Sequence, residues 1–306
     1  MTTQTTQVRT GAQLTWLYVP GDRPEVVAKA LAAGADVVVV DLEDAVAPDR
    51  KEYARAATAE LLTERPPVPV HVRVNALDDP ESIADLHALR TPAALGTLAG
   101  LRLPKVSSPA EILRTTELVP GLPLYALLES ALAVEHAFAI ATAHPALHGI
   151  ALGEADLRAD LGVRSDAGLD WPRSRVVVAA RAAGLAPPPQ SVHPDVRDLA
   201  GLAASCAHGR DLGFFGRAAI HPRQLPVIEA AYLPTPEEIE TAETILGAAA
   251  GHPGAQALPD GRFIDTAAAA GAVAPVAARA SSRAVAALPG VTRAWWNRRS
   301  PTQPGN

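Results

Sequence analysis

Cysteine is nearly missing from this chain. Cys206 is the single one among 306 residues, so no internal disulfide can form and a reducing compartment is expected. It reads as a small buried helix residue rather than a nucleophile. Aromatic residues make up only 4%, which leaves few platforms for stacking single-stranded bases. Positive charge is not in excess: 27 Lys and Arg against 33 Asp and Glu give a net charge of −6. With a pI near 5.8, nucleic acid and anionic membrane are poor candidates for the main partner. No apolar run approaches the ~18 residues of a membrane span. The opening MTTQTTQVRT has no apolar centre, so it does not read as a secretory signal. No GxGxxG follows the first apolar stretch, and no Walker-type phosphate loop occurs. A cytoplasmic, soluble protein is the expectation, and 48% hydrophobic residues are enough for a large core.

What the chain has is alternation. Short apolar runs at 14–19, 37–40, 70–74, 100–103, 124–128 and 150–152 read as strands, with weaker ones at 190–193 and 218–220. Helical patterns lie between them, at 25–33, 48–62, 82–89, 108–118, 131–143, 171–183 and 194–209. The four valines at 37–40 are the β-branched run expected of a strand buried on both faces. Gly34 and Gly184 end helices, and Pro66, Pro67 and Pro69 stop another. Strands separated by helices imply βαβ units and a parallel sheet. About eight such units point to an α/β fold, a TIM (β/α)8 barrel, rather than an open doubly wound sheet. A helix at 235–250 opens with Thr235-Pro236-Glu237-Glu238, and an alanine-rich helix reaching 288 follows a Gly/Pro loop. The expected organisation is a flexible N-terminus at 1–12, a barrel at 13–234, a C-terminal helical lid at 235–288 and a disordered tail at 289–306.

Charged residues gather where strands end: Asp22 and Arg23, then Asp41, Glu43 and Asp44, then Arg73, Lys105, Glu129, Asp156 and His221. In a barrel that rim carries the active site. The stretch from 124 to 162 is the most telling, because Glu129 closes one strand and Asp156 follows the next. Two carboxylates at the ends of consecutive parallel strands could supply an oxygen-ligand Mg2+ site. Each could equally cap the helix after it. His221 and His193 read as structural hydrogen-bonders in turns, and a Schiff base on Lys105 is the weaker route to aldol chemistry.

The segments LYVPGDRPE, VVVVDLEDAVAP, VRVN, LRLPKV, LLES, GEADLRADLG, RSRVVVAARAAGL and AIHPRQ occur in this order. Together they resemble the citrate lyase β-subunit-like proteins of the HpcH/HpaI aldolase superfamily, which include malyl-CoA and citramalyl-CoA lyases. The resemblance implies a TIM barrel with a C-terminal helical extension, Mg2+ (with Mn2+ as a substitute), carbon–carbon bond cleavage or formation, and a homotrimer or hexamer. By position, Glu129 and Asp156 look like the metal ligands. Arg73 looks like the residue that binds the acid and the enolate oxygen. Asp41, Glu43 and Asp44 look like the acids that hold metal-bound water. Arg23 and Lys105 look like cations near the acyl-CoA, and the Gly153-Glu154-Ala155 turn like part of the substrate site. Asp265 resembles an aspartate that an adjacent subunit lays over the site as general acid or base. It is followed here by Thr266-Ala267 where relatives often have Asp-x-Pro.

The activity implied is metal-dependent cleavage or formation of a 3-hydroxyacyl-CoA thioester such as malyl-CoA or citramalyl-CoA, with an acyl-CoA and a 2-oxo acid as partners. Alternatives on the same scaffold are a CoA-independent 2-oxo acid aldolase, a malyl-CoA thioesterase, and a non-autonomous subunit of an acyl-carrier complex.

Overall fold

The computed structural model describes residues 13–251, 255–258, 261 and 263–265. The expected flexible N-terminus, the alanine-rich last helix and the tail fall outside them. The chain divides into two compact units, the larger running from Gln13 to Tyr232.

That unit is a parallel sheet wrapped by helices. Its strands are β1 (Thr15–Pro20), β2 (Val37–Asp41), β3 (Val70–Arg73), β4 (Gly100–Leu103), β5 (Leu124–Leu128), β6 (Leu147–Leu152) and β7 (Arg217–Ala219). They lie in the order β6-β5-β4-β3-β2-β1-β7, all parallel. Sequential neighbours joined by helices are what a curled, barrel-like sheet requires. The helices between them are α1 (Pro24–Leu31), α2 (Lys51–Leu61), α3 (Glu81–Leu95), α4 (Pro109–Leu118), α5 (Ala131–Glu135), α6 (Ala137–Ala141), α7 (Glu154–Leu161), α8 (Asp170–Ala182), α9 (Leu199–Asp211) and α10 (Leu225–Tyr232).

Several elements depart from the pattern in the sequence. The expected strand at 190–193 is one bridged residue, Gln190 opposite Arg217. The Pro187-Pro188-Pro189 run before it offers no N–H donors to a ladder. The single helix expected at 131–143 is two, α5 and α6. They meet at His136, whose ring Nδ1 lies 2.9 Å from the Ser107 carbonyl oxygen. α9 starts five residues later than expected because the Asp198 carboxylate accepts from Gly201 N–H and caps it there. The weak helix at 82–89 extends to Leu95 and stops at Gly96, whose φ of 67° suits glycine. α10 was not apparent in the sequence pattern.

The sheet has two unlike faces. Register places Trp16, Tyr18, Val37, Val39, Asp41, His71, Arg73, Arg102 and Tyr125 on one side. The other carries Leu17, Val19, Val38, Val40, Val70, Val72, Leu101, Leu103 and Leu128, all buried. The aliphatic side faces the helices, since Arg217 on that side donates to Ser205 Oγ of α9 at 2.9 Å. Burying each such Val or Leu is worth roughly 1.5–3 kcal/mol. The second unit contributes α11 (Pro236–Gly251) and a short antiparallel pair, β8 (Gln256–Ala257) with β9 (Phe263–Ile264). Among the described residues no helix is long and apolar enough to cross a membrane.

Asp36 fixes the entrance of β1. Its Oδ2 accepts from Leu14 N (2.9 Å), Thr15 N (3.1 Å) and Thr15 Oγ1 (3.0 Å). Asp36→Ala leaves these donors without a partner in a buried place, an expected loss of about 1–3 kcal/mol, read as a lower urea midpoint with an unchanged m-value.

Candidate active site

The C-terminal ends of β2 to β6 deliver the site. Where β2 runs out, Asp41 folds the chain back on itself, its carboxylate accepting from Glu43 N (3.0 Å) and Ala45 N (3.1 Å). The same carboxylate takes a two-pronged bond from Arg73 at the end of β3, at 2.7 Å from Nε and 2.6 Å from Nη2. Arg73 Nη1 lies 2.8 Å from Glu43 Oε2 and 3.8 Å from Asp44 Oδ2. Lys51 braces the turn from beneath, donating to the Leu42 and Glu43 carbonyls and to Asn75.

Lys105, just past β4, ties the two halves of the rim together. Its φ of 54° makes it the one non-glycine with positive φ among the described residues, a conformation that must be held by its surroundings. Its backbone N–H donates to Glu129 Oε2 at 3.1 Å, and its Nζ to Glu43 Oε1 at 2.6 Å. Partial burial opposes the charge on Lys105, but the Glu43 bond and the charges of Glu43, Asp44 and Glu129 outweigh it and raise its pKa. An amine bonded to Glu43 and close to Asp44 is a poor Schiff-base nucleophile.

Glu129 is 5% exposed. Its backing is Gly153: a Cβ there would stand 2.3 Å from Glu129 Oε1, so a side chain at 153 would expel the carboxylate. Burial first, then the charges of Glu43 and Asp156, push the Glu129 pKa from the ordinary 4.5 up to about 8, against the pull of Arg73 and Lys105. Desolvation likewise raises that of Glu43. Glu43 Oε2 is buried and, although close to Arg73, has no aligned hydrogen bond. Asp156, in the first turn of α7, is exposed.

Crowded carboxylates with one buried oxygen left over suit a divalent cation. Glu129 and Asp156 are hard oxygen donors without nitrogen or sulfur beside them, which fits Mg2+ or Mn2+ better than Zn2+. Among the described residues no three or more His, Cys, Asp or Glu side chains are arranged as a metal cage. A pair of carboxylates, with water and substrate completing the shell, is how Mg2+ is commonly held.

The remaining expected residues separate. Glu154 is not free to meet a substrate, because Arg173 of α8 grips both its oxygens, Nε to Oε1 at 2.9 Å and Nη2 to Oε2 at 2.7 Å. Arg173 is 2% exposed and also reaches Asp166 at 2.7 Å and Asp170 at 3.2 Å. It therefore anchors the turn that presents Asp156. Arg173 lies in the segment RSRVVVAARAAGL, and an arginine on the buried side of an amphipathic helix is the signal in the sequence for such an anchor. Ala155 is exposed, and Arg23 sits at the β1–α1 turn near Asp22 (3.9 Å), with no hydrogen bond or ion pair to the Arg73 cluster among the described residues. Asp265 follows β9 in the second unit.

Two outcomes follow from this geometry. Because the Glu129 pKa is raised, the folded state holds its proton more tightly than the unfolded chain. That contribution is complete below the unfolded value and lost as pH rises through about 8. In chelator, the denaturation midpoint of wild type relative to Glu129→Gln should therefore fall between pH 5 and pH 8.5. Arg173→Ala leaves Glu154 without its partner, while Asp166 keeps Arg158 and Asp170 keeps His208, and should cost about 3 kcal/mol, measured by urea melts, with Arg173→Lys restoring part.

Residues 14–222 match the family described as HpcH/HpaI aldolase/citrate lyase. A (3S)-malyl-CoA thioesterase of Cereibacter sphaeroides is 38% identical over 262 residues, covering 81% of this chain and 88% of that protein. A citrate lyase subunit beta-like protein of Mycobacterium tuberculosis is 37% identical over 259 residues, covering 82% and 90%. The crystal structure of the M. tuberculosis protein CitE in complex with magnesium, acetoacetate and coenzyme A superposes with a TM-score of 0.75 at 34% identity, over 89% of this chain and 99% of that one. Another M. tuberculosis structure, a citrate lyase beta subunit with oxaloacetate and magnesium, gives 0.64 at 36%, over 74% and 99%. The acid-and-arginine rim thus sits on a scaffold shared along most of its length with these proteins, and the chain belongs to the HpcH/HpaI aldolase/citrate lyase family.

Proposed function

We propose that this chain is a divalent-metal-dependent carbon–carbon lyase acting on a 3-hydroxyacyl-CoA thioester of the malyl-CoA or citramalyl-CoA kind, in either direction. The observation that carries this is the convergence of Glu129, Arg73 and Lys105 on one rim, with Asp156 close enough to Glu129 to repel its charge. The M. tuberculosis CitE structure with magnesium, acetoacetate and coenzyme A supports the same ligand classes. We take the sheet to close as a full (β/α)8 barrel through the Gln190 segment, and the assembly to be a homotrimer or hexamer.

Cleavage breaks the C–C bond between the thioester's α-carbon and the hydroxyl-bearing carbon. The hydroxyl proton leaves, its O–H pair becomes the new C=O of the 2-oxo acid, and the C–C pair moves to the thioester as an enolate that is then protonated at carbon. Glu129 and Asp156 would hold the cation, which supplies Lewis-acid polarisation of the acid half's oxygens. Arg73 is prevented from turning away by Asp41 and Glu43, so its charge stands fixed where negative charge develops. Preorganisation of that sort is worth a few kcal/mol. Lys105 adds a second fixed cation for the thioester side, and the Asp265 of an adjacent subunit is assigned the proton transfer at carbon or hydroxyl.

A second reading is favoured by the relatives named malyl-CoA thioesterase: water would add to the thioester carbonyl at the same rim and the C–S bond would break, giving free CoA and the carboxylic acid with the C–C bond intact.

A coupled assay of the purified chain with malyl-CoA and citramalyl-CoA, with and without Mg2+, separates them. Metal-dependent appearance of acyl-CoA and 2-oxo acid together is expected, whereas free CoA without 2-oxo acid means the thioesterase. Arg73→Ala should lower kcat by roughly 10²–10³-fold with the fold intact, and Glu129→Gln should abolish metal stimulation. Undiminished turnover of Glu129→Gln in full chelation would overturn the metal's role.

A further inference from the structure

Asn75 closes the VRVN segment, two residues past Arg73 and beyond the last residue of β3. It is 1% exposed, and its backbone N–H finds its acceptor on a helix rather than a strand. Asp85 of α3 takes it: Oδ2 accepts from Asn75 N at 2.9 Å and from Asn75 Nδ2 at 2.7 Å. The other oxygen of Asp85 accepts from Arg55 Nε of α2 at 2.8 Å. Lys51 and Arg55 stand one turn apart on α2, and Glu81 and Asp85 one turn apart on α3, so each pair shares a helix face. Arg55 reaches both acids, and Lys51 reaches the Asn75 side-chain oxygen.

The partners leave no freedom in this network. A carboxylate only accepts and an ammonium only donates, so the Asn75 amide, set between Asp85 and Lys51, has one possible orientation. Lys51 has three N–H groups to give, and Leu42 O (3.0 Å), Glu43 O (3.1 Å) and Asn75 Oδ1 take one each. None remains for a substrate, and Asp85 is fully buried. What the network joins is the two segments that build the rim. Leu42 N donates to Arg73 O at 2.9 Å, which ties the 41–43 turn to the end of β3 at one point. The bridge from the Leu42 and Glu43 carbonyls through Lys51 to Asn75 ties them at a second. One tie leaves a hinge; two fix the angle between the segments, and with it the reach of Arg73 to Asp41 and Glu43. A buried ion pair adds little net stability over apolar packing, so stability alone is a poor reason for a carboxylate at this place in α3.

We propose that Asp85 is a positioning residue for Arg73: through Asn75 and Lys51 it locks the end of β3 to the 41–43 turn, and so sets where the guanidinium meets the charge that develops on the substrate. Asp85 itself touches no substrate. The consequence for turnover rests on the reading given under the proposed function, whereas the locking of Arg73 does not.

The test observes the Arg73 guanidinium directly. In the full chain carrying isotopically labelled arginine, the Nε–H resonances of Arg73 and Arg173 are assigned by their loss in Arg73→Lys and Arg173→Lys, and their exchange with solvent is measured without substrate. Each is bonded to a carboxylate in wild type, so both should be protected. Asp85→Asn, which keeps the size and removes the charge, should speed exchange at Arg73 by about ten-fold or more and leave Arg173 within about two-fold. No change at Arg73 overturns the proposal. So does equal acceleration at both arginines, which is what a general stabilising brace would give. Lys51→Met breaks the network from its other end, and it carries the same expectation and the same refutation if Asp85→Asn does not fold. A double-mutant cycle then follows whichever turnover of malyl-CoA the wild type shows. Asp85→Asn alone should lower kcat by about ten- to a hundred-fold with KM within about three-fold, and on the Arg73→Ala background it should cost less than about two-fold. A loss that multiplies in full onto Arg73→Ala overturns the proposal. A wild type that turns over neither malyl-CoA nor citramalyl-CoA sinks the lyase reading and leaves the exchange measurement to decide the role of Asp85.

Discussion

The pair formed by Arg73 and Asp41 is the constraint on which the rim depends. Asp41 has already turned the chain after β2 by accepting two backbone N–H groups, so its carboxylate is immobile before Arg73 arrives. The guanidinium is then locked in plane by two bonds at 2.6–2.7 Å and steadied by Glu43 at 2.8 Å. Burial works against that charge, and the Asp41 bonds more than compensate. Glu43 in turn fixes Lys105, and Lys105 fixes Glu129 through its backbone N–H. Loss of Arg73 or Glu43 would loosen the side chain after it, because Glu43 and Lys105 are held by the charges of their neighbours.

That chain of charges is possible only because the two faces of the sheet are so different. The helix-facing side is almost wholly aliphatic and supplies the hydrophobic free energy. The opposite side carries arginines, a histidine, aspartate and aromatic rings, an interior that costs stability wherever a polar atom lacks a partner. The orphaned atoms of His71, Arg102 and Glu43 all lie on or near this side.

Backbone geometry supports the same end. Lys105 accepts a left-handed conformation so that its N–H can point at Glu129, and Gly153 gives up a side chain so that the carboxylate can lie against the backbone. Arg173 works at a distance, pinning Glu154 and with it the first turn of α7, where Asp156 is presented. None of these three residues has to touch a substrate to matter to the site.

Alternation of valine-rich runs with helical patterns was enough, by itself, to determine a parallel α/β sheet and to place Asp41, Glu43, Arg73, Lys105 and Glu129 at strand ends. Strand and helix periods are local properties of the chain, and the rim of a βαβ sheet follows from them. The tertiary structure decided what those residues do to one another. Sequence spacing could not show that Glu154 is spent on Arg173, that Arg23 forms no hydrogen bond or ion pair with the cluster among the described residues, or that the 190–193 strand shrinks to one bridged residue. It could not show that Asn75 is held between Lys51 and Asp85. Each of these depends on contacts between segments far apart in the chain, where burial and the choice of partner set the energy of a charge, and neither is encoded in local periodicity.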